Sequence, residues 1–329
     1  GARMLQYTIR RISVLPLLLL VITFSTFYLT RWGPGDPISV IAGQVRDPEV
    51  LAQIREAEGL NDPIYIQYVR WLGDASRGDF GESYIRRGFT TWEVISPRLW
   101  VTGQLGLAAL VVIFPIGIFA GGLGARFRGS WADPTITLSL LFAAAIPGIL
   151  VVAVLQWLFA VQLSLLPVGG WGGWIDIYWI AGIVAVPIPD PHIYIPLTAY
   201  TLGGFVGVAR LVRATVLEVN RTDYVRTARA KGLSESTVQR RHVLRNSLLP
   251  LVTVVAFSLA GIIEGSIIAE TLLGIPGIGS FLFQAIGSRD YNAIQALTVI
   301  YSATFIVMNL VADLAYSFVD PRIRVGEAS

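Results

Sequence analysis

The chain of 329 residues is 54% hydrophobic and only 14% charged, with 25 Lys and Arg against 22 Asp and Glu. Its uncharged apolar runs reach the roughly 18 residues needed to cross the hydrocarbon of a bilayer, so a water-soluble enzyme is excluded. The lack of any cysteine excludes disulfides, thiolate metal sites and a cysteine nucleophile as well.

In chain order, the first apolar run is Ile12–Thr30, preceded by Arg3, Arg10 and Arg11. It is longer than a signal-peptide core and is followed by Arg31-Trp32-Gly33-Pro34 rather than by small residues, so it reads as a retained first span, 11–31. A polar interval, 32–98, comes next. Its Gly59-Leu60-Asn61-Asp62-Pro63 and Gly78-Asp79-Phe80-Gly81 stretches predict short helices joined by turns. Further spans are expected at 99–125, 135–162, 193–215, 248–270 and 291–316, with Pro115 and Pro147 marking bends. The apolar stretch 177–189 is too short to span and ends Pro-Ile-Pro-Asp-Pro, so it is placed in a loop or at the interface. Tryptophans 32, 100, 131, 171, 174 and 179 lie mostly near span boundaries, as an aromatic belt does.

Lys and Arg set the orientation. They precede span 1, sit at Arg126 and Arg128 between spans 2 and 3, crowd the 216–247 interval, and return at Arg322 and Arg324. The 163–192 loop has none. The expected fold is therefore an all-α polytopic membrane protein with six transmembrane helices and cytoplasmic N- and C-termini. The 32–98 segment, carrying seven arginines and ten acids, is extracytoplasmic and helical. The whole of 1–329 is read as one transmembrane domain.

The 216–247 interval has its own internal punctuation. Thr222 or Asp223 can cap a helix starting at Tyr224, and Gly232 suits its C′ position. A second helix can begin at Ser234 or Ser236, where Ser236 and Gln239 have capping-box spacing. Pro250 marks the entry to span 5. Two functions fit such a basic elbow: attraction to anionic lipid, which needs only charge, and docking of a cytoplasmic partner, for which Ala228 and Ala230 would supply a low-profile face.

Catalytic chemistry is sparse. The only lysine, Lys231, stands between Ala230 and Gly232, so there is no phosphate-binding Gly-Lys-Ser/Thr loop. His192 and His242 are expected on opposite sides of the membrane, which precludes a histidine pair for zinc or catalysis. Inside the spans, Glu264 is costly unless paired or wet. It is expected either to line a translocation path or to hydrogen-bond a neighbouring helix. Gln104, Gln156, Asn309 and Asp313 are candidates for the same two roles, while Glu270 and Asp313 are expected to reach the interface from span ends.

These residues carry a resemblance. Ala228…Gly232…Leu249-Pro250 resembles the EAA loop of ABC-importer permeases, in the form typical of the dipeptide, oligopeptide and nickel permease family. Gly35-Asp36-Pro37, Gly78-Asp79-Phe80-Gly81-Glu82-Ser83, Leu166-Pro167, Glu270…Pro276-Gly277-Ile278-Gly279, Arg289-Asp290-Tyr291 and Asp320-Pro321-Arg322-Ile323-Arg324 are similar to that family's motifs, in order and between the matching spans. Arg226 stands where the general pattern has glutamate, and 171–192 looks like an insertion.

The resemblance implies a permease subunit of a binding-protein-dependent ABC importer in a prokaryotic plasma (inner) membrane, most naturally for short peptides, with nickel or oligosaccharides as alternative cargoes. Implied partners are a second, homologous permease subunit forming a heterodimer, two ABC ATPase subunits and an extracytoplasmic solute-binding protein. This chain would hold no cofactor and catalyse nothing; ATP and Mg belong to the ATPases. The coupling loop would comprise Asp223, Tyr224, Thr227, Ala228, Arg229, Ala230, Lys231, Gly232, Leu233, Ser234 and Glu235. A rival reading, a stand-alone secondary transporter or channel using Glu264, calls for inverted repeats, and the sequence shows none that is convincing.

Overall fold

A computed structural model describes residues 2–32, 38, 47–57, 59–173, 175–180 and 184–319. The Gly35-Asp36-Pro37 and Asp320–Arg324 motifs, Trp174, and the side chains of Trp32, Trp179 and Asp313 lie outside the described residues.

The chain is mostly helical. Helix α1 (Ala2–Trp32) is followed by two short helices, α2 (Pro48–Ala57) and α3 (Ile64–Ala75), joined through the Gly59–Asp62 turn. Helix α4 (Thr91–Arg126) opens with a capping box: the Thr90 hydroxyl accepts from the Glu93 amide while the Glu93 carboxylate accepts from the Thr90 amide. It continues unbroken through Pro97 and Pro115. Of the two expected bends, the one at Pro147 appears, where α5 (Ala132–Ala145) and α6 (Gly148–Leu155, extended by a π-helical turn Gln156–Gln162) meet at 89°. Span 135–162 is thus a broken pair rather than one straight rod, because proline removes a backbone donor and clashes with the preceding turn.

The stretch expected as a loop forms an antiparallel ribbon, β1 (Ile175–Ile180) with β2 (Val184–Pro189), in which Ile177 faces Pro187. The fold is therefore not strictly all-α. β-branched residues favour the extended chain. A two-stranded ribbon has only edges, where Pro187 and Pro189 cost least.

Helix α7 (Tyr194–Val219) packs along α4 and enters the basic elbow through α8 (Asp223–Ala230). After a partly π-helical segment, Glu235–Ser247, come α9 (Leu249–Glu264), α10 (Ile267–Leu272), α11 (Ile278–Gly287) and α12 (Tyr291–Val319). Among the described residues, four apolar helical stretches are long enough to cross a membrane: α4, Pro191–Val219, Leu249–Leu272 and Tyr291–Ala312. The bent pair α5–α6 would make a fifth, and α1 carries a shorter apolar stretch, Leu15–Arg31.

Span 248–270 is interrupted at Gly265-Ser266, and two expectations change with it. Glu264 is not deep inside a continuous helix but closes α9 at the break, exposed. Glu270 does not reach an interface; it is fully buried.

Long-range polar contacts tie the bundle. Arg213 on α7 pairs with Asp133 and donates to the Thr137 hydroxyl at 2.8 Å, holding α5 against α7. Asp290, fully buried, caps α12 through the Ala293 amide (3.1 Å) and accepts from the Ser83 hydroxyl (2.7 Å) and the Ile85 amide (3.1 Å). The Gly78–Ser83 and Arg289–Tyr291 motifs thereby become one joint. A double-mutant cycle on Ser83→Ala and Asp290→Ala, read by thermal unfolding in detergent, is expected to give a coupling of about 1–2 kcal/mol; additive effects would show that the joint is not cooperative.

Candidate functional site

The basic elbow is built as a rigid body. Thr222 is extended (φ −72°, ψ 151°) ahead of α8, and Asp223 in the first turn and Arg229 in the last complement the helix dipole. The Thr222 hydroxyl does not cap; it donates to the Val219 carbonyl at 2.6 Å. At the other end Lys231 N donates to Thr227 O and Gly232 N to Arg229 O, with Gly232 at φ +77°. Glycine reaches that left-handed conformation without Cβ strain, as expected of a C′ residue.

Beneath the elbow, Val225, Val238 and Val243 are fully buried in one apolar cluster with Val212, Val216 and Leu251. Burying a valine contributes roughly 1.5–3 kcal/mol before ordering costs. Three of them hold the elbow to the spans far more firmly than its surface charges could. Ala228, three residues after Val225 on the same helical face, is buried in that cluster too. It supports the elbow from within instead of facing a partner.

Polar side chains fix the outer contour. Arg229 donates through Nε and Nη2 to both oxygens of Glu235 (3.0 and 2.9 Å) and through Nη2 to Asn220 Oδ1 (3.1 Å). Gln239 donates to the same Glu235 (2.7 Å) and Asn220 (2.9 Å), so the expected Ser236–Gln239 capping box gives way to this clamp. Ser234, the residue before the second helix, shares its hydroxyl with Thr237 at 2.8 Å. Asn246 Nδ2 donates to the Tyr224 hydroxyl at 2.9 Å. The Arg229 and Gln239 contacts lower the Glu235 pKa to about 2. A carboxylate depressed in the folded state contributes stability above its unfolded pKa and loses it as pH falls toward 2. Across physiological pH the clamp does not titrate.

The exposed surface of the elbow includes Asp223, Tyr224, Thr227, Arg229, Ala230, Lys231, Gly232, Leu233, Ser234 and Glu235. Two apolar side chains stand out on this polar surface, Leu233 at 41% and Tyr224 at 43% exposure. A solvated basic loop has no need of either.

A second built feature lies at the break after α9. The Glu270 carboxylate accepts from the Thr102 hydroxyl (3.0 Å), the Ser266 amide (3.4 Å), the Ser280 amide (3.0 Å) and the Gly279 amide. Thr102 in turn accepts from the Ile278 amide at 2.8 Å. The N-cap of α11 is Gly277, which has no side chain, so Thr102 and Glu270 together satisfy the first three amides of that helix. A Cβ at Gly277 would collide with Glu270 and with Thr102 Oγ1, and Gly265 (φ +68°) is equally close to Glu270 Oε1. The Glu270…Pro276-Gly277-Ile278-Gly279 motif is therefore a carboxylate cradle. The sequence reading expects this glutamate at an interface; the three glycines that follow it, at 274, 277 and 279, are the available signal.

The chain has two matches among protein-family models. Residues 113–325 match the "binding-protein-dependent transport system inner membrane component" and residues 4–95 match its N-terminal companion.

The chain belongs to this family.

Curated permease relatives align end to end. The oligopeptide transport system permease protein OppB of Haemophilus influenzae is 33% identical, covering 98% of this chain and 100% of the relative. AppB of Bacillus subtilis, an oligopeptide transport system permease protein, is 35% identical over 98% and 100%. The dipeptide transport system permease protein DppB of Alkalihalophilus pseudofirmus is 33% identical over 98% and 100%. In fold, the inward-facing MetNI methionine ABC transporter aligns with TM-score 0.53 at 19% identity, covering 69% of this chain and 96% of that one. The protein is a multi-pass permease of the prokaryotic inner membrane, as the resemblance implied.

The remaining candidate residues of this permease lie on several elements. Glu264 is exposed at the α9 end, where its carbonyl accepts from Tyr301 at 3.4 Å. Gln104 and Asn309 are half-buried on α4 and α12. Gln156 donates to the Val168 carbonyl at 2.7 Å and anchors the Leu166-Pro167 loop. Among the described residues, no group of three or more His, Cys, Asp or Glu could hold a metal ion.

Proposed function

We propose that this permease is the membrane-spanning subunit of a binding-protein-dependent ABC importer for short peptides. Six spans place both termini and the elbow in the cytoplasm and 32–98 outside. A homologous permease completes the path, two ATPases dock below and a solute-binding protein delivers cargo from above. The observation carrying this reading is the elbow: a rigid foot, anchored by three buried valines, that offers Leu233 and Tyr224 beside a left-handed glycine. A protein socket makes use of such a shape, whereas attraction of charge to lipid headgroups does not need it. Its docking residues are Asp223, Tyr224, Thr227, Arg229, Ala230, Lys231, Gly232, Leu233, Ser234 and Glu235, with Ala228 as internal support. Closure of the ATPase pair moves the foot, and the spans rock between outward- and inward-open states because each state makes different contacts. Glu264, Gln104 and Asn309 are proposed to face the path, with Gln156 holding the loop at its margin. Peptide is the cargo named for the relatives aligned over the full chain.

The test is reconstitution into liposomes with the neighbouring gene products. Peptide uptake is expected only with both ATP inside and solute-binding protein outside. Uptake by this chain alone, indifferent to ATP, would overturn the reading in favour of a secondary transporter.

A further inference from the structure

We infer that α3 is an interfacial helix that lies along the outer face of the bilayer and binds the headgroup–acyl boundary of the lipid. The inference rests on the topology proposed above, with 32–98 outside. Depth is the first observation. The Tyr68 hydroxyl meets Thr23 Oγ1 at 2.8 Å and donates to the Leu20 carbonyl at 3.2 Å, and its ring packs edge-on against Phe24 and Phe27. Trp71, one turn on, packs against Phe27 as well. These partners belong to the apolar stretch Leu15–Arg31 of α1. The ring contacts put α3 at the level of Phe24 and Phe27, eight and five residues before the end of α1, or about 7–12 Å along a helix rising 1.5 Å per residue. Only the Tyr68 hydroxyl reaches deeper, to Thr23 and Leu20. An amphipathic helix resting in an interface sinks its apolar side to about that depth.

The distribution of side chains around α3 is the second observation. Tyr68 and Trp71 turn to α1; Ile64 and Ala75 share their face by helical spacing, with Ala75 packed against the cluster of Phe80, Val94 and Ile95. Tyr65 (63%) and Val69 (66%) are exposed, one turn apart on the adjoining face, and Ile66 is exposed beside them. Arg70, Asp74 and Gln67 occupy the opposite side, where Arg70 pairs with Asp62 at 2.8 Å and Gln67 donates to the Asp62 carbonyl at 2.7 Å. A helix in water at the depth of Phe27 would have no reason to show tyrosine and valine outward; a helix bordered by α1 on one side and acyl chains beneath requires it. Tyrosine at this level also suits the belt where rings meet headgroups.

The cysteine-free sequence allows a direct test in the full-length chain purified with its bound subunits into nanodiscs. Val69→Cys and Asp74→Cys are each labelled with an environment-sensitive fluorophore, and the lipid carries a nitroxide either near the headgroup or at the acyl terminus. The shallow nitroxide is expected to quench the label at 69 about threefold more than the label at 74, and more than the deep nitroxide does. A label at 69 that is as wet as the one at 74, shielded from both lipid and water by protein, or quenched best from the bilayer centre overturns the inference. Arg77→Cys in spheroplasts separates this from the topology. Reaction with an impermeant maleimide only after permeabilisation overturns the topology itself, whereas prompt reaction with an unquenched 69 overturns the lipid contact alone.

Discussion

Replacing Glu270 with leucine is expected to lower the stability of the permease by about 3–5 kcal/mol, the largest loss for any single side chain outside the apolar cores. Leucine fills a similar volume but accepts nothing. It strands the Thr102 hydroxyl and the amides of Ser266, Gly279 and Ser280, all in a site with no solvent to replace the carboxylate. Each stranded buried donor costs roughly 1–3 kcal/mol, partly relieved by local relaxation. Glu270→Gln keeps one acceptor oxygen but turns an NH2 group toward amides that also donate, so about half the loss is expected. The order of thermal unfolding midpoints in detergent should therefore be wild type, Gln, Leu. Thr102→Val should cost less in the Glu270→Leu background than alone, because its partner is already gone. A Leu variant melting with the wild type would mean that the cradle is not what fixes α11.

The cradle also shows where the sequence was readable and where it was not. Span positions were legible because apolar runs near the bilayer length report solvent directly, and α4, α7 and α12 sit where those runs lie. Breaks were half legible. Pro147 bends the chain at α5–α6, yet Pro115 passes unnoticed within α4, since neighbouring packing decides whether a proline's missing bond matters. Gly265-Ser266 gave no hydropathy signal at all, so Glu264 was placed mid-helix and Glu270 at an edge. The partners of Glu270 come from residues 102 and 266–280, and local patterning is blind to such distance. Elbow boundaries were legible at Thr222, Gly232 and Pro250, which stand before α8, just past its end and in the first turn of α9, although the Thr222 hydroxyl turns back to Val219 and the Ser236–Gln239 box does not form. Which face of α8 turns inward was not: Ala228 looks the same to a propensity scale whether it meets a partner or Val212. The ribbon at 175–189 was missed for the opposite reason, as its apolar run fits strand, loop or interface equally well.

Gly232→Val is expected to reduce ATP-driven peptide uptake at least about tenfold while the chain still reaches the membrane in near-normal amount. The separation follows from the position of the glycine. Its φ of +77° is strained for any residue with a Cβ and worst for a β-branched one, at about 1–3 kcal/mol. No atom lies within 4 Å of the Cβ that would be added. The strain therefore cannot be blamed on a core clash and is relieved by turning the chain between Lys231 and Ser234. Val225, Val238 and Val243 stay buried on either side, so the fold holds while Leu233 and the tip move relative to the foot. Gly232→Asn provides the control, since asparagine tolerates the left-handed region better than other non-glycine residues, and it should restore most of the uptake. A purely lipid-binding loop would respond to neither substitution, because both leave every positive charge in place. The paired readout, coupled ATPase association and uptake for Val against Asn at equal expression, thus isolates backbone shape from charge as the property the elbow transmits.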